Sequence, residues 1–373
     1  NDLVSCLWVG TDYPQVFCAN PLGVVMQTIN ERSQGNIKHM SVAVIILNWN
    51  GAAMMRRFLP SVIHNTPEAD IVVADNGSTD ESLTLLAREF PQVRVVRLDK
   101  NYGFAEGYNK AVAAVEAEYV VLLNSDVEVA RGWLRPLLNF MQSHDDAAAC
   151  QPKILSWHDR RQFEYAGAAG GYIDRFGYPY CRGRIFATVE QDHGQYDSIA
   201  EIHWATGACM VVRREIYLLH GGLDSKFFAH NEEIDFCWRV RHYGWKIYCV
   251  PESCVWHVGG GTLPQGNPRK TYLNFRNNLL MLFKNLPQSS LRSVMLWRAL
   301  LDGVAMVQAI LSGRHKDAKA IVKARHDYRK MKSAYKPFRK QLADSATSEA
   351  RISQISILWQ YFVRRHHTFT SIS

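Results

Sequence analysis

Apolar runs recur at 42–47, 71–74, 93–98 and 119–123, and the intervals between the first three hold helix-patterned segments such as Ser82-Leu-Thr-Leu-Leu-Ala-Arg-Glu-Phe90. Continuously apolar strands that alternate with helices predict an α/β class: a Rossmann-like, mostly parallel central sheet with helices on both faces. From Leu286 onward the pattern turns helical with one apolar side, as in Val294-Met-Leu-Trp-Arg-Ala-Leu-Leu-Asp-Gly-Val-Ala-Met306, so a C-terminal helical extension follows the sheet. Asn1 to His39 shows no sustained period of 2 or 3.6, lacks a leading Met, and runs into Met40 directly before the first strand. That stretch is expected to be a poorly ordered extension or upstream sequence outside the fold. Three regions result: 1–39, 40–286 with the sheet, and 287–373.

In sheets of this kind ligands bind beyond the carboxyl ends of the strands. Here the four ends read Asn48-Trp-Asn50-Gly51, Asp75-Asn76-Gly-Ser78-Thr-Asp80, Asp99-Lys-Asn101-Tyr-Gly103 running on to Asn109, and Asn124-Ser125-Asp126. Each alone is compatible with turn or cap chemistry. Four such ends facing one crevice describe a binding site. The crevice lacks both G-x-G-x-x-G and G-x-x-x-x-G-K-[ST], which disfavours a dinucleotide enzyme and a P-loop ATPase. Asp75 can accept from a pyrimidine or ribose, and Asp126 offers a hard oxygen to Mg²⁺ or Mn²⁺ beside a diphosphate.

Ile46-Leu-Asn-Trp-Asn-Gly51, Val72-Val-Ala-Asp-Asn-Gly-Ser-Thr-Asp-Glu-Ser82, Asn101-Tyr-Gly-Phe-Ala-Glu-Gly-Tyr-Asn109 and Leu122-Leu-Asn-Ser-Asp-Val127 together resemble glycosyltransferase family 2, over about Ser41 to Leu286. Bacterial rhamnosyltransferase-like members that build cell-surface polysaccharide are the most similar. The resemblance implies the GT-A fold and inverting, metal-dependent transfer of a sugar from a nucleotide-diphosphate sugar donor. It implies donor contacts from Asn48, Asn50, Asp75, Asn76, Ser78, Asn101, Gly103, Asn109, Asn124, Ser125 and Asp126. Where family members commonly show Asp-x-Asp after the fourth strand, this chain has Asn124-Ser125-Asp126, and an amide brings no charge to a metal.

Downstream, Trp204-Ala-Thr-Gly-Ala-Cys-Met-Val-Val-Arg213 reads as a small-residue turn entering a strand, and the resemblance places Gly207 beside donor and acceptor. In Gly221-Gly-Leu-Asp-Ser-Lys-Phe-Phe-Ala-His-Asn-Glu-Glu-Ile-Asp-Phe-Cys-Trp-Arg239, Glu232, Glu233 and Asp235 open a helix-patterned segment. Charge complementarity with the helix dipole and an Asp235–Arg239 pair explain part of that cluster. The preceding Phe227-Phe-Ala wall would raise a carboxyl pKa and suit a base. Family members carry Glu-Asp-x-Asp here with the first Asp as base, which points to Glu233, with Asp235 as alternate and Glu232 as a positioning neighbour.

His257, at the end of an apolar strand, reads from composition as a core residue. Cys249-x4-Cys254-x2-His257 lacks the fourth ligand and the spacing of a zinc site. The resemblance instead makes His257 the second metal ligand opposite Asp126, with the glycines after it as a lid over the diphosphate. Arg269, Lys270 and Arg276 suit phosphate or form a solvated basic face.

Charge sharpens the C-terminal picture. The chain carries 43 Lys and Arg against 35 Asp and Glu, while residues 281–373 alone hold 17 against 5. No uncharged apolar stretch of 18 residues occurs; the nearest, Leu291 to Leu311, is broken by Arg292, Arg298 and Asp302, so no transmembrane helix is expected. An amphipathic segment followed by a polybasic one suits an anionic membrane surface. Sparse aromatics there argue against nucleic acid. Eight cysteines without a C-x-x-C pair fit a reducing cytoplasm. The expected protein is therefore a cytoplasmic glycosyltransferase, peripheral on the inner face of the cell membrane, with a glycan or polyprenyl-diphosphate-linked acceptor. The rivals are a nucleotidyltransferase, which would need a Gly-rich basic phosphate loop after the first strand, and a non-catalytic nucleotide-sugar binder.

Overall fold

Residues 42–48, almost all buried, form the middle of the sheet because a strand covered on both faces has no polar side to present. The computed structural model describes residues 41–259, 266–348 and 350–372. The expectation for residues 1–39, and the part of the proposed lid beyond Gly259, lie outside them. In chain order the elements are β1 (Val42–Asn48), α1 (Ala52–Asn65), β2 (Asp70–Asn76), α2 (Ser82–Glu89), β3 (Arg94–Leu98), α3 (Gly103–Ala113), β4 (Tyr119–Leu123) and β5 (Val127–Val129). Next come α4 (Leu134–Ser143), β6 (Ala147–Ser156), β7 (Gly171–Ile173), β8 (Pro179–Cys181), β9 (Arg184–Ile185), β10 (Thr188–Val189), β11 (Ala200–Ile202) and β12 (Cys209–Arg213). They are followed by α5 (Arg214–Leu219), α6 (Glu232–Arg241), β13 (Lys246–His257), α7 (Pro268–Asn285), α8 (Gln288–Leu311), α9 (His315–Met331) and α10 (Lys336–Ser345).

The main sheet runs β11-β13-β6-β12-β4-β1-β2-β3, with β5 pairing β13. Strands β3, β2, β1 and β4 are parallel, so their carboxyl ends, and the four polar loops, open on one edge. β12 enters antiparallel between β4 and β6, with Cys209 opposite Leu123. That register lays Gly207 and Ala208 beside the end of β4, where Asn124 N–H donates to the Ala208 carbonyl at 3.0 Å. β13 runs parallel to β6 and antiparallel to β5, with His257 opposite Val127. Residues 126 and 257, distant in sequence, become neighbours through that pairing.

A four-stranded antiparallel sheet, β7 to β10, sits apart from the main one, and the C-terminal segment returns to it. Ile357 packs with Tyr180 and Ile185 in a small core that Tyr361 and Phe369 cover. The helical extension docks on the sheet-bearing half without a linker. α9 packs along α7, where Thr271 Oγ1 donates to Asp317 at 2.9 Å and Tyr272 OH to Asp327 at 2.7 Å. Residues from Met40 onward form one compact unit, and the expected boundary at 286/287 falls between two packed helices.

Candidate active site

At the ends of β1 and β2 one hydrogen-bond network joins the predicted donor residues. Asn48 Nδ2 donates to Asp75 Oδ1 and to Ser78 Oγ, each at 3.1 Å, and Ser78 N–H donates to Asp75 Oδ2 at 3.1 Å. Asn50, in the left-handed region at φ 51°, accepts from Thr79 N–H at 2.7 Å. Asp80 ties the neighbouring helices together, accepting from Ala52 N–H and Ser82 N–H. The Oδ1 of Asn48 is buried, lacks a partner, and faces Gly51, where any Cβ would meet it at 2.4 Å, with Ser125 Oγ just beyond. Asn76 orders the third loop: it donates to Asn101 Oδ1 and the Gly103 carbonyl, and accepts from Tyr102 N–H.

Asp126 Oδ1 lies 3.1 Å from His257 Nε2, and Asn124 Nδ2 lies 3.3 Å from the same ring nitrogen. The opposite nitrogen of the ring, Nδ1, lies 3.4 Å from Glu164 Oε1, near enough for charge attraction but without the alignment of a hydrogen bond. Burial opposes ionisation of both members of the pair, yet each stabilises the other's charge. Asp126 is held below the ordinary carboxylate range by His257 and backbone N–H groups. His257 is raised to about 10 by Asp126 and Glu164.

The donor set suits a hard divalent ion. Adjacent ligands on an octahedral cation with bonds of about 2.1 Å sit roughly 3 Å apart, close to the Asp126–His257 spacing. A carboxylate behind the imidazole is the usual support for a metal-bound histidine. Among the described residues no group of three or more His, Cys, Asp and Glu side chains converges on one metal position. Asp126 and His257 would supply two ligands and leave the other positions to diphosphate and water, as Mg²⁺ sites commonly do.

The acids at the start of α6 follow a backbone held in an unusual shape. Phe228, His230 and Asn231 have φ of 66°, 73° and 66°, each costing on the order of 1–3 kcal/mol for a residue with a side chain. The surroundings impose that shape. Asn277 Nδ2, fully buried, donates to the carbonyls of Phe227, Ala229 and His230 at 2.8–3.0 Å. Phe104 N–H at the start of α3 donates to the Phe228 carbonyl at 2.7 Å, and a Cβ on Gly103 would strike the Phe228 ring. Thus the third strand end and the acid loop are one structure.

Glu232 and Glu233 emerge from this loop with Oε2 atoms that are buried and lack partners. Desolvation and the neighbouring carboxylates push Glu232 well above the ordinary range, favouring its protonated form. Desolvation raises Glu233 to about 7, against backbone N–H groups, that of Gly207 among them, which favour its ionised form. Gly207 therefore stands between Glu233 on one side and, through Ala208 and Asn124, the Asp126–His257 pair on the other. A carboxyl that titrates near neutrality, set beside the Asp126–His257 pair and the crevice at the strand ends, is equipped to take a proton from a hydroxyl.

Three sequence expectations give way to other roles. Asp235 is fully buried and committed: Oδ2 accepts from Arg239 Nε at 2.9 Å and Lys284 Nζ at 2.7 Å, and Oδ1 from Asn285 at 2.9 Å. With those partners it fastens α6 to α7 and is not a base in waiting. Asn109 holds Leu223 through both its N–H and carbonyl and accepts from Tyr217 OH, so its amide is fully engaged away from a donor. Arg276 donates to the carbonyls of Lys226 and Phe227 at 3.0 Å and to Asn277, bracing the acid loop instead of a phosphate. Arg269 is exposed and lies over the Phe228 ring, 4.9 Å from its centroid. Glu164 and Asn277 were invisible in the sequence, the first in an irregular segment, the second one polar residue among many on a helix.

Residues 43–218 match the family model described as glycosyl transferase family 2. Over those residues the chain carries a family 2 glycosyltransferase domain. That glycosyltransferase domain is similar to N-acetylglucosaminyl-diphospho-decaprenol L-rhamnosyltransferase of Mycobacterium tuberculosis, 25% identical over 231 residues, which span 57% of this chain and 75% of the relative. It is also 26% identical over 270 residues to human polypeptide N-acetylgalactosaminyltransferase 6, spanning 64% of this chain and 40% of that one. Among solved structures, GalNAc-T7 with UDP, GalNAc and Mn²⁺ superposes with a TM-score of 0.52 at 19% identity, over 66% of this chain and 48% of that chain. The last likeness establishes the GT-A type of fold.

Proposed function

We propose that this glycosyltransferase moves a sugar from a nucleoside-diphosphate sugar to a hydroxyl of a glycan or lipid-linked acceptor in cell-surface polysaccharide synthesis, with inversion at the anomeric carbon. The observation that carries the chemistry is the half-buried Glu233, raised to about 7 and joined through Gly207 to the strand end that bears Asp126. Glu233 takes the acceptor hydroxyl proton as the oxygen attacks the anomeric carbon in line. The bond from that carbon to the phosphate oxygen breaks, and the nucleoside diphosphate leaves with the electron pair. Asp126 and His257 would hold a Mg²⁺ or Mn²⁺ ion, which neutralises charge on the departing diphosphate. Asn48, Asp75 and Ser78 shape the nucleoside end, and Glu164 fixes the His257 ring.

The mycobacterial relative is named for an L-rhamnosyl transfer to a polyprenyl-diphosphate-linked sugar, which makes a deoxyhexose donor the first to test. The test is thermal denaturation with a panel of uridine, thymidine and guanosine diphosphate sugars, with and without Mn²⁺. A cognate donor at about 100 times its Kd should add about 2.7 kcal/mol of stability, and only with the cation present. Protection by none of them, or equal protection after chelation, would remove the proposal or its metal.

A further inference from the structure

α8 is built inside out. Its two charged residues in mid-helix, Arg298 and Asp302, are 2% and 0% exposed, whereas Leu296, Leu300, Val304 and Leu311 are 72%, 59%, 60% and 83% exposed. Arg298 donates to Asp302 at 3.2 Å and to the Phe176 carbonyl at 3.1 Å, and Arg325 of α9 closes on the other Asp302 oxygen. The charges that interrupt this segment in the sequence are thus spent inside the protein. What remains outside, from Leu296 to Leu311, is a face with Trp297 and Val307 added and no charge on it. By length and composition the helix could cross a membrane. Its ion pair to Arg325 of α9 and the bond from Arg298 to the Phe176 carbonyl instead lay it along the surface.

The rim of that face has one sign. Arg292 precedes Leu296 by four residues on the same side of the helix, and exposed Arg314, Lys316 and Lys319 follow its end. Lys319 and Lys323 line a groove with Met306 and Ile310 between α8 and α9. The carboxylates between Gln288 and His326, Asp302 and Asp317, are both buried. A contiguous apolar strip several residues long, bounded by cations and free of exposed anions, is the kind of surface that marks an interaction site. It matches the boundary between acyl chains and anionic headgroups.

We infer that α8 is a monotopic membrane-docking helix, seated with the Leu296–Leu311 face among the acyl chains of an anionic bilayer and Arg292, Arg314, Lys316 and Lys319 at its phosphates. This deepens the proposed function by naming the surface on which a lipid-linked acceptor would be met, and it rests on that reading for its purpose only. A second apolar and basic set, Trp359, Phe362 and Val363 with Arg364 and Arg365, is exposed on the C-terminal segment. Arg175 N–H donates to the Ile355 carbonyl of that segment, and the neighbouring Phe176 ring lies 6.0 Å from Trp297, so this set belongs to the same part of the molecule.

The test is flotation of the full chain with vesicles of phosphatidylcholine alone or with a third phosphatidylglycerol, alongside Leu300→Glu with Val304→Glu, and Lys316→Glu with Lys319→Glu. Both pairs are exposed, so circular dichroism should be unchanged. The wild type should float with the anionic vesicles. The apolar pair should lose at least tenfold in partitioning, since inserting each such side chain is worth about a factor of ten. The basic pair should bind both vesicle types equally weakly. Equal binding by the wild type and the apolar pair, or no binding of the wild type to anionic vesicles, overturns the inference. So does a wild-type dimer that the apolar pair converts to monomer without any vesicle binding, which would make this face a contact between copies. Metal-dependent protection by a donor sugar is read in the same samples without lipid. Its persistence in the apolar pair separates failure of this inference from failure of the glycosyl-transfer reading.

Discussion

Replacing Glu233 with Gln removes a proton acceptor and a desolvated charge at once, and the two effects run in opposite directions. The rise from 4.5 to about 7 means that folding disfavours the ionised carboxyl by about 3 kcal/mol, at about 1.4 kcal/mol per pH unit. Below pH 4.5 the side chain is protonated in both folded and unfolded chains and contributes no difference. As pH climbs through 4.5 the unfolded chain ionises first, and the folded chain loses stability until pH 7, above which the full penalty applies. Glutamine carries no such penalty. Urea denaturation should therefore find Glu233→Gln more stable than wild type by about 3 kcal/mol at pH 8 and indistinguishable from it at pH 4. Transfer should fall by 10²- to 10⁴-fold, the usual contribution of a general base, while donor binding is kept. In the wild type, kcat should rise with pH to a plateau above about 7. A stability difference that does not vary with pH would show that the carboxyl is not desolvated, and turnover within tenfold of wild type would take the base role from Glu233.

The other expectations concern the supports. Glu164→Gln should weaken Mn²⁺ binding by 10- to 100-fold in calorimetric titration without donor or acceptor, because the carboxylate behind His257 sets the ring's basicity and orientation; unchanged affinity would make Glu164 a packing residue only. Asp235→Asn should cost about 3 kcal/mol or more in denaturation, since Lys284 and Arg239 lose a buried counter-charge, and a loss below 1 kcal/mol would show that the network is dispensable. Asn277→Ala should free three carbonyls of the 227–230 loop and lower kcat at least tenfold with donor affinity unchanged. A fall in donor affinity alone would place its effect elsewhere.

The sheet was legible because the runs 42–47, 71–74 and 119–123 are apolar without interruption, a pattern suited to strands covered on both faces. The crevice was legible because the polar residues sit immediately after those strands. Beyond that point local pattern fails. The i, i+4 pair of Asp235 with Arg239 was readable, but Lys284 and Asn285, which complete the network, reach Asp235 only through the packing of α6 on α7. Asn109 and Arg276 carry residue types suited to a ligand, and nothing in their neighbours revealed that Leu223 and the Phe227 carbonyl would claim them. For α8 the alternation was clear while its polarity was not, because Arg298 and Asp302 would ordinarily be assigned to the wet side.

Residues 276 to 278 have a practical bearing on engineering. Arg276 and Asn277 grip the 227–230 loop, while Asn278, next in the chain, accepts from Arg298 of α8 and donates to the Gly177 carbonyl beside the small sheet. One turn of helix thus stitches three parts of the molecule. Chimeras that graft another acceptor region should keep α7 with the loop it holds and carry α7 through α9 together; a splice at residue 286 would leave Arg276 and Asn277 on that loop but cut the link between Asn278 and Arg298.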